Sequence, residues 1–147
     1  MSEIVNEFSV SIRQVKDYEF VVKFDKPEGL ELTTDEHPPL GKDAGPSPSR
    51  LLAAAVVNCL SASLLFAFRK AGVAIGNIES TVSVQVIRNE KRRLRIGKMT
   101  VILDPKLDDG DLEKARAGRA VFEEYCTVTQ SVASGIAVEV KVKGIDV

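Results

Sequence analysis

The segment that most constrains the fold is the apolar run over residues 45–72, GPSPSRLLAAAVVNCLSASLLFAFRKAG. Pro48 follows Ser47, which predicts a helix that serine caps and in which proline takes the first helical position. Gly72 predicts the helix end, because glycine readily adopts the left-handed conformation found there. The interior holds few polar side chains, namely Asn58, Ser61 and Ser63. A helix with so little polar surface is expected to be central and buried on nearly every side.

A membrane span is the main alternative interpretation of this segment. Its length lies near the lower limit for a helix that crosses a bilayer. The segment is rich in alanine, however, and the sequence after it alternates apolar and polar residues as exposed strands do. We therefore predict the core helix of a soluble domain, with no membrane partner.

Length and composition predict a single globular domain over residues 1–147. The chain is 44% hydrophobic and 28% charged, as ordinary globular proteins are. A net charge of −1 gives no electrostatic basis for binding nucleic acid. The N-terminal sequence lacks the pattern of a secretory signal, so we expect a cytoplasmic protein with reduced thiols. His37 is the only histidine and no zinc-type spacing occurs, so no metal site is predicted.

The order of elements predicts an α+β fold with a mostly antiparallel sheet, β-β-β-α-β-β-α-β. Two alternating strands lie within residues 3–24 and a third lies near residues 30–33. After the central helix, residues 78–89 and 93–104 form a hairpin. Apolar spacing of three and four predicts an amphipathic helix over residues 107–126, followed by a short helical turn and a last strand.

The predicted elements are too few to cover the central helix completely. Six strands and one further helix can wrap only part of a helix that is apolar on all sides. The apolar surface left over predicts a homodimer.

Cys59 and Cys126, both placed on predicted helices, suggest a thiol pair. In the catalytic interpretation, one thiolate attacks a peroxide to give a sulfenic acid, and the second thiol condenses with it to a disulfide. In the alternative interpretation, Cys59 is simply a small hydrophobic core residue.

Activation of Cys59 as a thiolate requires a nearby cation or a helix N-terminus. Cys59 lies too far inside its own helix for the helix dipole to act strongly. Arg50 precedes it by nine residues, which places the two on opposite helix faces about 13 Å apart. The cation is therefore expected from the preceding loop, the N-terminal strands or a partner subunit.

Two motifs resemble those of the OsmC/Ohr family, whose members include osmotically inducible and organic hydroperoxide resistance proteins. The run GPSPSRLLAAAVVNC is similar to the family's GPSPxELLxAAxxxC signature, and EYCTVTQSV matches its Cys-x-Val-x-x-Ser/Ala turn. The resemblance covers essentially the whole chain. It implies an intertwined homodimer with a site at the interface, in which Cys59 is peroxidatic and Cys126 is resolving. It also implies organic hydroperoxide substrates and an external thiol or dithiol reductant, with no cofactor.

The chain departs from the family pattern beside the motif. The peroxidase branches carry an acidic residue just after the second proline, which orients an arginine over the reactive thiolate. Here Ser49 and Arg50 occupy those positions. The family's arginine comes from the N-terminal β region or from the loop before the motif. Arg13 is the only arginine before Arg50, so the resemblance assigns this role to Arg13, while the loop offers Lys42 and His37 instead.

Two functions are therefore weighed. The first is a thiol-dependent peroxidase that reduces organic hydroperoxides, with apolar substrate walls from Leu60, Leu64 and Phe66. The alternative is a non-catalytic dimer that binds a small apolar or thiol-bearing ligand at its interface. A purely structural role for both cysteines is a third possibility, in which replacing them changes stability alone.

Overall fold

A computed structural model describes residues 2–147 and confirms the predicted α+β class. It contains two three-stranded sheets and one long helix. The chain divides into two compact units, the first ending at Leu51 and the second covering Leu52–Val147. The single domain over residues 1–147 stays a prediction.

The first unit is built on an antiparallel sheet of three strands. They are β1 (Val10–Lys16), β2 (Glu19–Phe24) and β3 (Glu31–Thr34), with β2 in the middle. The predicted N-terminal strands are thus confirmed. All seven residues of β1 are exposed, although three of them are apolar. This strand therefore presents apolar surface that its own unit leaves uncovered.

The loop after β3 is organised around the buried carboxylate of Asp35. Its oxygens accept hydrogen bonds from the backbone N–H groups of Glu36 at 2.7 Å, Lys42 at 3.0 Å and Ala44 at 3.1 Å. A side chain at Gly41 would collide with the Asp35 carboxylate and the Glu36 carbonyl, so glycine is required there. The bond from the Lys42 N–H, with those from Ala44 and Glu36, outweighs the effect of burial and lowers the pKa of Asp35.

Asp35→Asn is expected to destabilise the fold most near neutral pH. Because the folded-state pKa is lowered, the carboxylate stabilises the fold above its unfolded pKa of about 3.9, and this stabilisation is lost as pH falls through the folded pKa. Urea unfolding at about pH 7 and about pH 3 should show a large difference from wild type only at the higher pH.

Asp43→Asn is the matched control for this measurement. Asp43 is exposed, contacts His37 at 2.8 Å, and has a φ of 56° that asparagine also tolerates. Its replacement should change stability little. An Asp35→Asn variant as stable as wild type near neutral pH would show that the carboxylate does not organise the loop.

Helix α1 (Pro48–Ala71) has the predicted ends. The backbone N–H of Arg50 donates to Ser47 Oγ at 3.4 Å, which caps the start. Gly72 has a φ of 74°, and the N–H of Val73 donates to the carbonyl of Phe68 at 2.9 Å. These bonds satisfy groups that the helix end would otherwise leave unpaired.

Burial of α1 within the chain is one-sided, not all round as the composition suggested. The fully or nearly fully buried residues follow helical spacing: Ala53, Val56, Leu60, Ser63, Leu64, Ala67 and Phe68. The helix is long and apolar enough to cross a membrane, with a mean hydropathy of 2.2. The core helix of a soluble protein can have the same length and hydropathy. The buried face joins one hydrophobic cluster with Met99, Val101 and Leu103, as a core helix does.

The second unit contains the other sheet, formed by β4 (Glu79–Arg88), β5 (Leu94–Asp104) and β6 (Ala137–Val142). Strands β4 and β5 form the predicted antiparallel hairpin. At its turn, Asn89 Oδ1 accepts hydrogen bonds from the N–H groups of Lys91 at 3.0 Å and Arg93 at 2.9 Å. Strand β6 is parallel to β5, because the intervening helical segment returns the chain to the same end of the sheet.

The helix predicted over residues 107–126 is divided in the structure. It consists of a 3-10 turn over Asp109–Asp111, α2 (Leu112–Val121) and a second 3-10 turn over Phe122–Tyr125, and α3 (Thr127–Ala133) follows after Cys126. The prediction that Cys126 lies near the end of the amphipathic helix is corrected. Cys126 has φ −89° and ψ 89° and immediately precedes α3. The β-branched residues Thr127, Val128 and Thr129 that follow Cys126 have weak helix propensity, which favours an interruption here.

Arg119 fixes α2 over the sheet. Its Nε donates to Asp146 Oδ2 at 2.8 Å, one terminal nitrogen donates to Glu123 Oε2 at 2.7 Å, and the other donates to the Val140 carbonyl at 3.2 Å. The guanidinium also lies 5.3 Å from the ring centroid of Phe122. Helix α2 and the turn that leads to Cys126 are thereby attached to β6 and the C-terminal turn.

Candidate active site

The structure brings the two predicted cysteines together inside the second unit. Cys59 lies in the middle of α1 and is half-buried, whereas Cys126 precedes α3 and is fully buried. Both are free thiols, and each contributes to the hydrogen bonding of the other. The arrangement is an accessible thiol in contact with an inaccessible one.

Hydrogen bonds favour the thiolate form of Cys59. Burial alone would raise the pKa, but the Cys126 thiol, the backbone N–H groups of Val128 and Thr129, and the Ser63 hydroxyl together lower the pKa of Cys59. Each of these donors stabilises negative charge on the sulfur. Cys59 is therefore the more readily ionised thiol of the pair.

The pKa of Cys126 is shifted in the opposite direction. Burial and the hydrogen bond with Cys59 raise the pKa of Cys126, and a hydrogen bond with Thr129 only partly opposes this rise. Cys126 Sγ lies 2.9 Å from Thr129 Oγ1. Of the two thiols, Cys59 is therefore the one that loses its proton first, while Cys126 keeps its own.

Cys126→Ala is expected to raise the pKa of Cys59. The substitution removes a hydrogen-bond donor to the Cys59 thiolate, while burial, which favours the neutral thiol, remains. The rate of iodoacetamide alkylation of Cys59 is measured as a function of pH. The midpoint of this pH profile should lie at higher pH in Cys126→Ala than in unmodified wild type. Thr127→Ala, an exposed change in the same segment, should leave the profile in place. An unchanged profile in Cys126→Ala would show that Cys126 does not stabilise the Cys59 thiolate.

Sequence reasoning missed the donors that surround Cys59. The sequence predicted a nearby cation, but among the described residues the strongest influences on the pKa of the Cys59 thiol are burial and hydrogen-bond donors. Ser63 follows Cys59 by four residues, so helical spacing could have placed the two on one face. The N–H groups of Val128 and Thr129 had no such signal, because the helix break beside Cys126 was not predicted.

Arg13, the predicted activating arginine, lies on β1 in the first unit. It pairs with Val21 of β2 and is exposed. The two cysteines lie in the second unit. Arg13 therefore keeps its role only as a proposal.

The three predicted substrate-wall residues fall into two groups. Leu60 and Leu64 are fully buried in the hydrophobic core, so they have no surface with which to contact a substrate. Phe66 is 57% exposed. Its ring meets the edge of the Tyr125 ring with a centroid distance of 6.2 Å. Phe66 lies two turns after Cys59 on α1, and Tyr125 directly precedes Cys126. Each aromatic residue is therefore close in sequence to one of the two cysteines.

A shallow groove of about 210 Å³ continues from this aromatic pair between α1 and α2. Phe66, Val121 and Tyr125 supply apolar surface, and Lys70 lies at its edge. A larger cavity of about 630 Å³ lies along another side of α1, near Asn58 and Arg69, and its lining includes neither cysteine. Neither lining includes a cysteine, and we favour the smaller groove as the site's apolar surface because Tyr125, which directly precedes Cys126, lines it.

Metal ligation has little support in this part of the chain. Among the side chains that the structure describes, no group of three or more from His, Cys, Asp or Glu is placed to hold a metal ion. The site consists of thiols, hydroxyls and backbone donors, which suit sulfur chemistry.

Solved structures share this fold at low sequence identity. An OsmC-like protein from Mycoplasma pneumoniae has a TM-score of 0.77 and 12% identity, covering 95% of this chain and 98% of that one. The organic hydroperoxide resistance protein OhrB of Bacillus subtilis has a TM-score of 0.68 and 20% identity, covering 95% and 100%. Identities this low establish the fold alone.

A further similar structure comes from Vibrio cholerae O1 biovar eltor. That protein, assigned to organic hydroperoxide resistance, holds captopril in one of its active sites. Its TM-score is 0.74 and its identity is 23%, with 99% of each chain covered. No curated protein matches the sequence significantly. The family described as OsmC-like protein matches residues 41–141, which include both cysteines. The chain therefore belongs to the OsmC-like protein family.

Proposed function

We propose that this protein is a thiol-dependent peroxidase that reduces organic hydroperoxides to alcohols. The observation that carries the proposal is the contact between Cys59 and Cys126 with opposite pKa shifts, lowered for Cys59 and raised for Cys126. A peroxidase of this kind needs one thiolate that attacks the hydroperoxide and a second thiol that forms the disulfide. In this proposal Cys59 and Cys126 fill these two roles.

The proposed reaction has three steps. The Cys59 thiolate attacks the O–O bond of the hydroperoxide, which gives Cys59 sulfenic acid and, after protonation, the alcohol. Cys126 then attacks the sulfenic sulfur, which forms the disulfide and releases water. An external thiol or dithiol reduces the disulfide by exchange, so no bound cofactor is required.

Organic hydroperoxides are the proposed substrates, in preference to hydrogen peroxide. Phe66, Tyr125 and Val121 offer exposed apolar surface that could hold an alkyl group. Equal rates with an alkyl hydroperoxide and with hydrogen peroxide would argue against this role. The walls are assigned to these three residues because Leu60 and Leu64 are buried.

A homodimer and a role for Arg13 belong to the same proposal. Uncovered apolar residues on β1, among them Val10 and Ile12, and the exposed side of α1 are surfaces that a second copy would cover. Arg13 would supply a cation to a thiolate, and the reducing cytoplasm would supply the reductant. Arg13→Gln should slow peroxide reduction about tenfold, whereas Lys16→Gln on the same strand should not. Sedimentation at micromolar concentration tests the dimer, and a monomer would contradict it.

Thiol counting tests the peroxidase directly. The reduced protein is mixed with an equimolar amount of cumene hydroperoxide, and free thiols are labelled and counted by intact mass. Rapid loss of both thiols, with recovery after a dithiol is added, is the expected result. Two thiols that survive unchanged would reject the peroxidase.

A non-catalytic dimer that binds a small apolar or thiol-bearing ligand is the second candidate. Ser49 and Arg50 stand where peroxidase branches carry an acid, and the Arg50 guanidinium donates instead to Ser47 Oγ at 3.3 Å. Captopril, a thiol, occupies an active site of the Vibrio cholerae protein. Saturable captopril binding by a protein whose thiols survive hydroperoxide treatment would favour this function.

A further inference from the structure

The resolving thiol lies in surroundings that oppose its ionisation. Cys126 is fully buried, and both this burial and the neighbouring Cys59 raise the pKa of Cys126. Attack on a sulfenic acid nevertheless requires the thiolate form of Cys126. Some group must therefore stabilise charge on this sulfur once Cys59 has been oxidised.

Thr129 is the hydroxyl-bearing residue in contact with this sulfur. Its side chain is nearly fully buried, and its Oγ1 lies 2.9 Å from Cys126 Sγ. A threonine hydroxyl can accept a hydrogen bond from a thiol and, after rotation, donate one to a thiolate. Burial and Cys59 raise the pKa of Cys126, and the Thr129 hydroxyl acts against them.

Thr129 also touches the other sulfur, but through its main chain. The backbone N–H of Thr129 donates to Cys59, as does that of Val128. Any residue except proline keeps this N–H. The backbone N–H of Thr129 acts on Cys59, which attacks the hydroperoxide, whereas its hydroxyl acts on Cys126, which resolves the sulfenic acid. A side-chain substitution can therefore separate the two contributions.

We propose that the Thr129 hydroxyl is a positioning residue for the resolving step, in which it donates a hydrogen bond to the Cys126 sulfur and stabilises the Cys126 thiolate. This inference rests on the proposed peroxidase function. Cys126 sulfur forms the S–S bond with Cys59 sulfur while the S–O bond of the sulfenic acid breaks. The leaving hydroxide takes the proton that Cys126 released and departs as water. The sulfenic sulfur is reduced, Cys126 is oxidised, and Thr129 keeps its own proton.

Three variants test the proposal on the full chain. Thr129→Val removes the hydroxyl and keeps the shape, Thr129→Ser restores a hydroxyl, and Thr127→Val makes the same change at the exposed threonine two residues earlier. Sulfenic acid formation is measured with a sulfenic-acid-specific probe, and disulfide formation by quenched intact mass. Thermal unfolding confirms that each variant is folded.

Thr129→Val should form the disulfide about tenfold more slowly, while its sulfenic acid forms within about twofold of the wild-type rate. The sulfenic acid should therefore persist and become overoxidised at excess hydroperoxide. Thr129→Ser should recover most of the disulfide rate, and Thr127→Val should match wild type.

Two outcomes would overturn the inference. A wild-type disulfide rate in Thr129→Val would show that the hydroxyl has no role. Equal slowing of both steps in the Val and Ser variants would show that the side chain serves packing. If wild type itself forms sulfenic acid and no disulfide, or neither, the failure lies with the proposed function.

Discussion

Cys59→Ser should abolish reduction of organic hydroperoxides, with a loss of at least roughly a thousandfold. A serine hydroxyl at this position stays protonated near neutral pH, whereas the hydrogen bonds around Cys59 lower the pKa of its thiol and favour the thiolate. The measurement is consumption of cumene hydroperoxide in the presence of a dithiol. In Cys59→Ser, the Cys126 thiol should remain free, because it is buried and protonated.

Cys126→Ser is the matched control for this loss. It removes the resolving thiol but leaves Cys59 and a hydroxyl donor in place, so sulfenic acid should still form and should accumulate. Residual consumption of hydroperoxide in Cys59→Ser at the rate of Cys126→Ser would mean that the roles of the two cysteines are reversed or shared.

Phe68→Ala should cost about 3–5 kcal/mol of unfolding free energy. Phe68 is fully buried in the cluster that joins α1 to the sheet, and its ring closely approaches Gly118 of α2. Truncation leaves a cavity where α1 and α2 meet, and neighbouring groups can refill only part of it. Urea unfolding followed by circular dichroism gives the free energy.

Phe66→Ala is the control for Phe68, with the same change on the same helix. Phe66 is mostly exposed and has an edge contact with Tyr125, so its loss should cost about 1 kcal/mol. Equal costs for the two substitutions would mean that Phe66 is covered, as a homodimer could cover it. A small cost at Phe68 would contradict the described core.

The parts of the fold that could be predicted depend on local chemistry. Ser47 and Pro48 identify the start of α1, and Gly72 identifies its end, because these residues act on the backbone beside them. The hairpin of β4 and β5 follows from alternation and a short turn. Each of these signals lies within a few residues of the feature it predicts.

The parts that were missed depend on contacts between distant segments. Spacing of three and four continues through Phe122 to Cys126, so periodicity predicted one helix where the structure has a break. Leu60 and Leu64 were assigned to a substrate wall because apolarity alone does not tell which face of a helix is covered. The contact of Cys59 with Cys126 was implied by family resemblance, since no local pattern relates the two positions.

The contact between the Cys59 and Cys126 thiols depends on the parallel pairing of β5 and β6. Cys126 lies in the connection between these strands, so its position beside Cys59 depends on β6 being in place at the edge of the sheet. A chain truncated before Ala137 would keep both cysteines yet lose the element that holds them together. Disulfide formation on addition of hydroperoxide would then show whether β6 has paired with β5 in a given molecule.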